Sequence, residues 1–364
     1  MSWTEILILI FLLGAFLSLL ITPIFIKVAI KTGFYDLPRC QEHKKHKEPT
    51  PLLGGLAIFA AWALSICLCV LIAKTNMIHG LEGNAKASMS GILSVSKNLF
   101  FIMLSAFLAV LLGLYDDKWN MRAITKLIGQ IVIAIIAVTW GGVRISLFLP
   151  SPFLSWLISV FWIIAIMNAI NFFDNMDGLA VGIAAISFSL FSLAAFASGQ
   201  YFVSALGAVS AGASVGFWFY NHSPAQIFMG DSGSHFLGYL MAVMGVLVTY
   251  YNPNITFTKF SILVPIFILA IPIFDLFAVV VIRIKNRKPI YIGDHNHISH
   301  RFVAMGMEKK KAVLMVHLLS LTIGLSVLPI LWGDRRTVIV SSIQALSILI
   351  LITLLQIEGK KGKS

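Results

Sequence analysis

Charge is what this sequence has least of: 12% of its 364 residues are Asp, Glu, Lys or Arg, against roughly 25% in an ordinary soluble domain. A chain so poor in charge cannot clothe a water-facing surface, which excludes a soluble globular protein. It also lacks any polar stretch long enough to bury a core of its own, so the whole chain, 1–364, reads as one membrane domain. Cysteine is scarce, and three residues make no disulfide framework: Cys67 and Cys69 lie two apart in an apolar run, Cys40 in a basic loop. The first apolar block, from about Ile6 to Ile26, lacks the basic leader and small-residue cleavage site of a signal peptide and is expected to stay as the first span.

What is present is apolar, 59% of the residues, in blocks approaching the ~20 needed to cross a hydrocarbon core. The expected architecture is an all-α integral membrane protein of about ten or eleven transmembrane helices. The candidate spans are 5–24, 52–73, 98–114, 126–140, 153–170, 180–198, 201–219, 235–249, 261–282, 312–331 and 337–357. The formal net charge of +12 would suit a nucleic-acid partner, but the cations collect between spans, as the positive-inside rule produces. Counting from an outside N-terminus, the inside segments hold twenty of the 27 Lys and Arg and the outside ones seven. That bias predicts N-terminus out and C-terminus in the cytoplasm.

Five polar clusters then stand out: Lys44 to Gly55, Tyr115 to Lys126, Asn168 to Gly178, Asn221 to Ser234 and Lys285 to Arg301. They follow alternate spans, so all five fall on the cytoplasmic side, and one site assembled at one face is expected. The basic run before Pro49-Thr50-Pro51-Leu52-Leu53-Gly54-Gly55 is a positive-inside loop or a seat for an anionic headgroup. Asp116 and Asp117 end a membrane helix, where anions oppose the macrodipole, so a metal or basic side chain should offset them. Asn171, Asp174 and Asp177 lie three apart, which in a helical turn sets hard oxygen donors on one face, suited to Mg²⁺ and nucleotide hydroxyls. Asp231, a lone carboxylate between glycines before a span, has a functional reading and, as the lesser alternative, that of a good N-cap. His295, His297, His300 and Arg301 suit phosphate and sugar hydroxyls, and their spacing matches no common zinc frame.

These clusters, in this order, resemble the polyprenyl-phosphate N-acetylhexosamine-1-phosphate transferases, the superfamily of MraY and the WecA/TagO enzymes. The motifs are Asp116-Asp117, Asn171…Asp174-Asn175-Met176-Asp177-Gly178, Gly230-Asp231-Ser232-Gly233-Ser234 and His295-Asn296-His297. The last loop, Asp294-His295-Asn296-His297-Ile298-Ser299-His300-Arg301, is closer to the WecA/TagO branch than to MraY. Asn175 departs from the family's usual Gly. The resemblance implies an MraY-like fold and a Mg²⁺-dependent enzyme, with Mn²⁺ as a substitute ion. It implies Asn171 and Asp231 on the metal, and Asp116 and Asp117 beside the lipid phosphate. Asp116, Asp117 and Asp231 are the catalytic candidates. It further implies Asn120 near the nucleotide, Lys126 on the diphosphate, Asp174 and Asp177 lining the nucleotide site, and His295 and His297 on diphosphate and sugar, with Arg301 beside them. The expected partners are a UDP-N-acetylhexosamine, undecaprenyl or another polyprenyl phosphate, and the inner membrane, with a homodimer left open and no nucleic acid. The rival readings are a muramyl-pentapeptide transferase of MraY type and, in a different class, a secondary transporter; transporter sites lie near the midplane on broken helices, whereas these carboxylates sit at span ends.

Overall fold

The computed structural model describes residues 2–36, 49–75, 95–145, 151–248, 263–287, 289 and 296–361. In chain order the helices are α1 (Trp3–Thr32), α2 (Gly54–Thr75), α3 (Ser96–Trp119), α4 (Ala123–Thr139), α5 (Pro152–Phe173), α6 (Leu179–Ala197), α7 (Tyr201–Asn221), α8 (Gly230–Val248), α9 (Val264–Ile268), α10 (Ala270–Lys285), α11 (Ile298–Ala304), α12 (Lys309–Leu325), α13 (Val327–Trp332) and α14 (Arg335–Lys361). The strands β1 (Tyr35–Asp36) and β2 (Thr50–Pro51) pair antiparallel between α1 and α2. The chain is an all-α membrane protein.

Among the described residues nine helical stretches are long and apolar enough to cross a membrane, with α12 and α13 counted as one. Two of the eleven expected spans differ: α4 is a shorter apolar helix of 17 residues, and 261–282 is broken into α9 and α10 around Leu269. The third span is longer than its hydropathy suggests. Helix α3 continues through Trp119, so Asp116 and Asp117 lie in its last turn, at the helix C-terminus where the sequence reading put them.

Helix α8 is the axis of the bundle, with 89% of its membrane-length stretch buried against 17% for α1. It packs on α2, α3, α5 and α6, and small residues let those backbones approach. A Cβ on Gly55 of α2 would lie 2.2 Å from the Gly233 nitrogen, and one on Gly113 of α3 2.2 Å from the Asp231 carbonyl. Close backbone approach through small residues is how helices associate where lipid is as apolar as Leu. The motif glycines are therefore packing residues that bring polar neighbours together.

The start of α2 is tied to the same place. Phe228 N–H donates to Pro51 at 2.8 Å, while Gly54 and Gly55 N–H donate to the carbonyls of Phe228 and Met229 at 3.0 and 2.9 Å. Two of the first amides of α2, which have no partner within their own helix, are thus satisfied by the segment leading into α8.

Candidate active site

Four helix ends meet at one pole of the bundle: the C-termini of α3 and α5 and the N-termini of α4 and α8. Lys126, in the first turn of α4, lies at their centre. Its Nζ is 2.7 Å from Asp116 Oδ2, 2.8 Å from Asp231 Oδ2 and 3.2 Å from Asn171 Oδ1. Asn171 Nδ2 donates to Asp231 Oδ1 at 2.6 Å and to Ser234 Oγ at 2.9 Å. Side chains from four helices, 105 residues apart between Lys126 and Asp231, close on one cationic nitrogen.

The two adjacent carboxylates of α3 are offset in different ways. Asp116, 8% exposed, takes Lys126 and the Met121 N–H at 2.7 Å. Asp117 takes no side-chain cation in this cluster. It accepts the backbone N–H groups of Asp231 at 2.7 Å and Ser232 at 3.1 Å, capping α8 from another helix. The positive end of the α8 dipole is thus the counter-charge. Gly230, at φ 68°, makes room, since a Cβ there would fall 2.6 Å from Asp117 Oδ2. The cap of α8 is Asp117, and this frees the Asp231 carboxylate to face Lys126 and Asn171. The N-cap alternative for Asp231 is overturned by that arrangement.

The single helical face expected for Asn171, Asp174 and Asp177 is also corrected. Helix α5 ends at Phe173, Asp174 leaves the helical region at ψ 64°, and Gly178 at φ 73° starts α6. Only Asn171 is helical; Asp174 and Asp177 lie on the connecting turn. Asp177 Oδ2 accepts the Ala225 N–H at 3.2 Å. Burial first, then the charges of Asp231 and Asp177, push the Asp174 carboxyl up to about 7. Asn120 is exposed and caps α3 in the left-handed region at φ 53°, its N–H donating to the Asp116 carbonyl at 2.8 Å. Among the described contacts its side chain joins no member of the cluster.

Of the histidine loop, His295 lies outside the described residues. His297 and Arg301 converge on Asp275 of α10, which the sequence reading did not single out. Asp275 Oδ2 is 2.7 Å from His297 Nδ1, its Oδ1 accepts the Ile298 N–H at 2.6 Å, and Arg301 Nη2 is 3.7 Å away. The hydrogen bond at Nδ1 leaves Nε2 as the imidazole's second polar atom. Burial lowers the Arg301 pKa against the raising effect of Asp275. Ser299 donates to Asn175 Oδ1 at 2.6 Å, so the residue that departs from the family pattern fastens α11 to the Asp174–Asp177 turn. These residues form a second group held to the first through that turn.

Sequence reading also missed Gln130 and His235, which lie one helical turn deeper than Lys126 and Asp231. Their signal was a polar residue on an apolar helix four positions from a charged one, a costly placement in a membrane.

The polar set fits a divalent cation. Hard oxygens from Asp231 and Asn171 already gather on an ammonium, and Mg²⁺ favours one or two carboxylates completed by phosphate oxygens. Among the described residues there is no group of three or more His, Cys, Asp and Glu that could hold a metal ion.

A glycosyl transferase family 4 model matches residues 99–249, the stretch holding both carboxylates of α3 and Lys126, Asn171 and Asp231. The chain is 34% identical over 325 residues to a probable undecaprenyl-phosphate N-acetylglucosaminyl 1-phosphate transferase of Bacillus subtilis, covering 87% of this chain and 82% of that one. It is 29% identical over 315 residues to a decaprenyl-phosphate N-acetylglucosaminephosphotransferase of Mycolicibacterium smegmatis, covering 80% and 74%. A phospho-N-acetylmuramoyl-pentapeptide-transferase of Bacillus pumilus is 32% identical over 259 residues, covering 65% and 73%. With identity of this extent running through the helices that build the site, the chain belongs to glycosyl transferase family 4, the superfamily of polyprenyl-phosphate sugar-1-phosphate transferases.

Proposed function

We propose that this protein transfers N-acetylglucosamine-1-phosphate from UDP-N-acetylglucosamine to a polyprenyl phosphate at the cytoplasmic face of the inner membrane, releasing UMP. The observation that carries this reading is the meeting of Lys126, Asp116, Asn171 and Asp231 at one pole. The longer cover of the N-acetylglucosaminyl relatives, 87% and 80% of the chain against 65% for the muramyl one, favours that donor.

An oxygen of the lipid phosphate forms a bond to the β-phosphorus of the donor as the bond to the UMP oxygen breaks. One diphosphate replaces another, so the exchange is nearly balanced. A phosphate monoester has its second pKa near 6, so the nucleophile arrives largely deprotonated and needs no strong base. Catalysis is then positioning and charge neutralisation. Lys126 supplies a fixed cation for the diphosphate, and Asp231 and Asn171 would hold Mg²⁺, which when bound neutralises phosphoryl charge. Asp117 positions the first turn of α8, Asp116 holds Lys126, Asp174 and Asp177 border the nucleotide, and His297 with Arg301 faces the sugar-phosphate.

The test is UMP release and lipid-linked product from purified protein, polyprenyl phosphate and Mg²⁺, with UDP-N-acetylglucosamine, UDP-N-acetylgalactosamine and the muramyl-pentapeptide nucleotide in parallel. Turnover of the first donor alone is expected. Turnover of the muramyl donor alone would reassign the substrate, and none with any donor would overturn the reading.

A further inference from the structure

Beneath the charged cluster lies a second polar layer made by the same helices. Gln130 is four residues from Lys126 on α4, Asn168 three from Asn171 on α5, and His235 four from Asp231 on α8. Each helix therefore contributes one member to both layers, one turn apart. Gln130 Oε1 accepts Asn168 Nδ2 at 2.8 Å, and Gln130 Nε2 lies 3.4 Å from Asn168 Oδ1 and 3.1 Å from His235 Nε2. Asn168 Nδ2 also donates to the Ile164 carbonyl at 2.9 Å. His235 Nδ1 lies 2.7 Å from the Asp231 carbonyl.

That last contact fixes the ring. A carbonyl only accepts, so Nδ1 carries the proton, Nε2 is the acceptor, and Gln130 must donate to it. Gln130 is 1% exposed and His235 fully buried, while Asn168 is half-buried, so the Gln130–His235 pair is away from water and Asn168 closes the set on its outer side. Such bonds between membrane helices average about 0.6 kcal/mol, little gain in stability over apolar packing. What the layer does provide is register. It allows one relative height and rotation of α4, α5 and α8, the helices that carry Lys126, Asn171 and Asp231.

We infer that His235, with Gln130 and Asn168, is a positioning residue that sets how Asp231 and Lys126 are presented to each other and to the diphosphate. The inference rests on the proposed function. It does not make His235 a participant in proton transfer, since both ring nitrogens are already used. Gln is the conservative replacement, because its amide offers one donor and one acceptor with nearly the imidazole spacing.

The experiment compares wild type, His235→Leu, His235→Gln and the double variant Gln130→Leu/His235→Leu, purified in detergent. The double variant removes the Gln130–His235 pair together, which spares each the cost of an unpaired mate. It leaves Asn168 without Gln130 but with its bond to the Ile164 carbonyl, so melting temperature is read for every variant. The expected result is a kcat ten- to a hundredfold lower, on the order found for groups that orient metal ligands, in both Leu-bearing variants. KM for donor and lipid stays within about twofold, and His235→Gln recovers most of the loss. Without substrate, the rise in melting temperature that Mg²⁺ produces in the wild type should shrink in the Leu-bearing variants and return with Gln. Wild-type kcat in the double variant would overturn the inference, as would losses of activity that follow melting temperature across the set without rescue by Gln. Absence of UMP release by the wild type would overturn the proposed function, and this inference with it.

Discussion

The carboxylate of Asp117 accepts the backbone N–H of Asp231 at 2.7 Å, so the last turn of one membrane helix caps the first turn of another 114 residues on. Removing a cap costs about 0.5–2 kcal/mol, and here it also loosens the turn that aims Asp231. Asp117→Asn keeps one acceptor for these amides and Asp117→Ala keeps none. The Asn variant is expected to turn over about tenfold faster than the Ala variant, a gap of about 1.4 kcal/mol. Equal collapse of both in UMP-release assays would mean that the charge acts in the chemistry itself.

Lys126→Met leaves Asp116 and Asp231 facing each other without their shared cation. The Asp116 side chain is buried but that of Asp231 is 33% exposed, so the cost falls below the ~3–5 kcal/mol of breaking a fully buried pair, and the melting temperature in EDTA should still fall by several degrees. Because the oxygens left behind suit a divalent cation, millimolar Mg²⁺ should restore part of the loss, while turnover stays low. Thermal melts with and without Mg²⁺ decide this. A deficit that Mg²⁺ does not touch would argue against the metal assignment.

Asp174 gives a pH signature. Its carboxyl, held up to about 7 by burial and by Asp231 and Asp177, binds a proton in the folded state that the unfolded chain has already lost above its ordinary value. The stability this supplies is full below that ordinary value, declines by about 1.4 kcal/mol per pH unit as pH rises, and is gone by about 7. Asp174→Asn removes the titration. The difference in melting temperature, wild type minus variant, should fall as pH rises from about 4 to 7 and then level off. A flat difference would show that Asp174 does not titrate there.

Asp275 holds His297 in one tautomer while capping α11. Asn at this position can still accept the Ile298 N–H, but its amide nitrogen favours the opposite imidazole tautomer. Asp275→Asn should lower kcat/KM for the UDP-sugar at least about tenfold and leave KM for the lipid unchanged. An equal loss for both substrates would point to general disorder of α11.

Orientation in the membrane is open to direct labelling. Cysteines placed at Trp119 and Arg335, in a background without the native cysteines, should react with impermeant reagent from opposite sides, Trp119 from the cytoplasm. Reaction from the same side would overturn the N-out, C-in arrangement.

Much of this protein is legible in the chain alone. Low charge and span-length apolar blocks dictate a helical membrane protein, because in hydrocarbon only such segments satisfy their own backbone. The residues of the site were visible because polar groups are costly there, so Asp116, Lys126, Asn171 and Asp231 stand out against their surroundings. Which of them touch was not visible. Spacing suggested one helical face for Asn171, Asp174 and Asp177, yet the helix stops at Phe173. Local chemistry left Asp231 as cap or ligand, and only the crossing of α3 over α8 at Gly113 and Gly230 gave the cap to Asp117. Gln130, His235 and Asp275 looked incidental, since each needs a partner 22 to 105 residues distant to become meaningful. Hydropathy and propensity act over a few neighbouring residues, whereas a site at the meeting of helix ends is set by how closely and at what rotation those helices pack, and that only the tertiary structure decides.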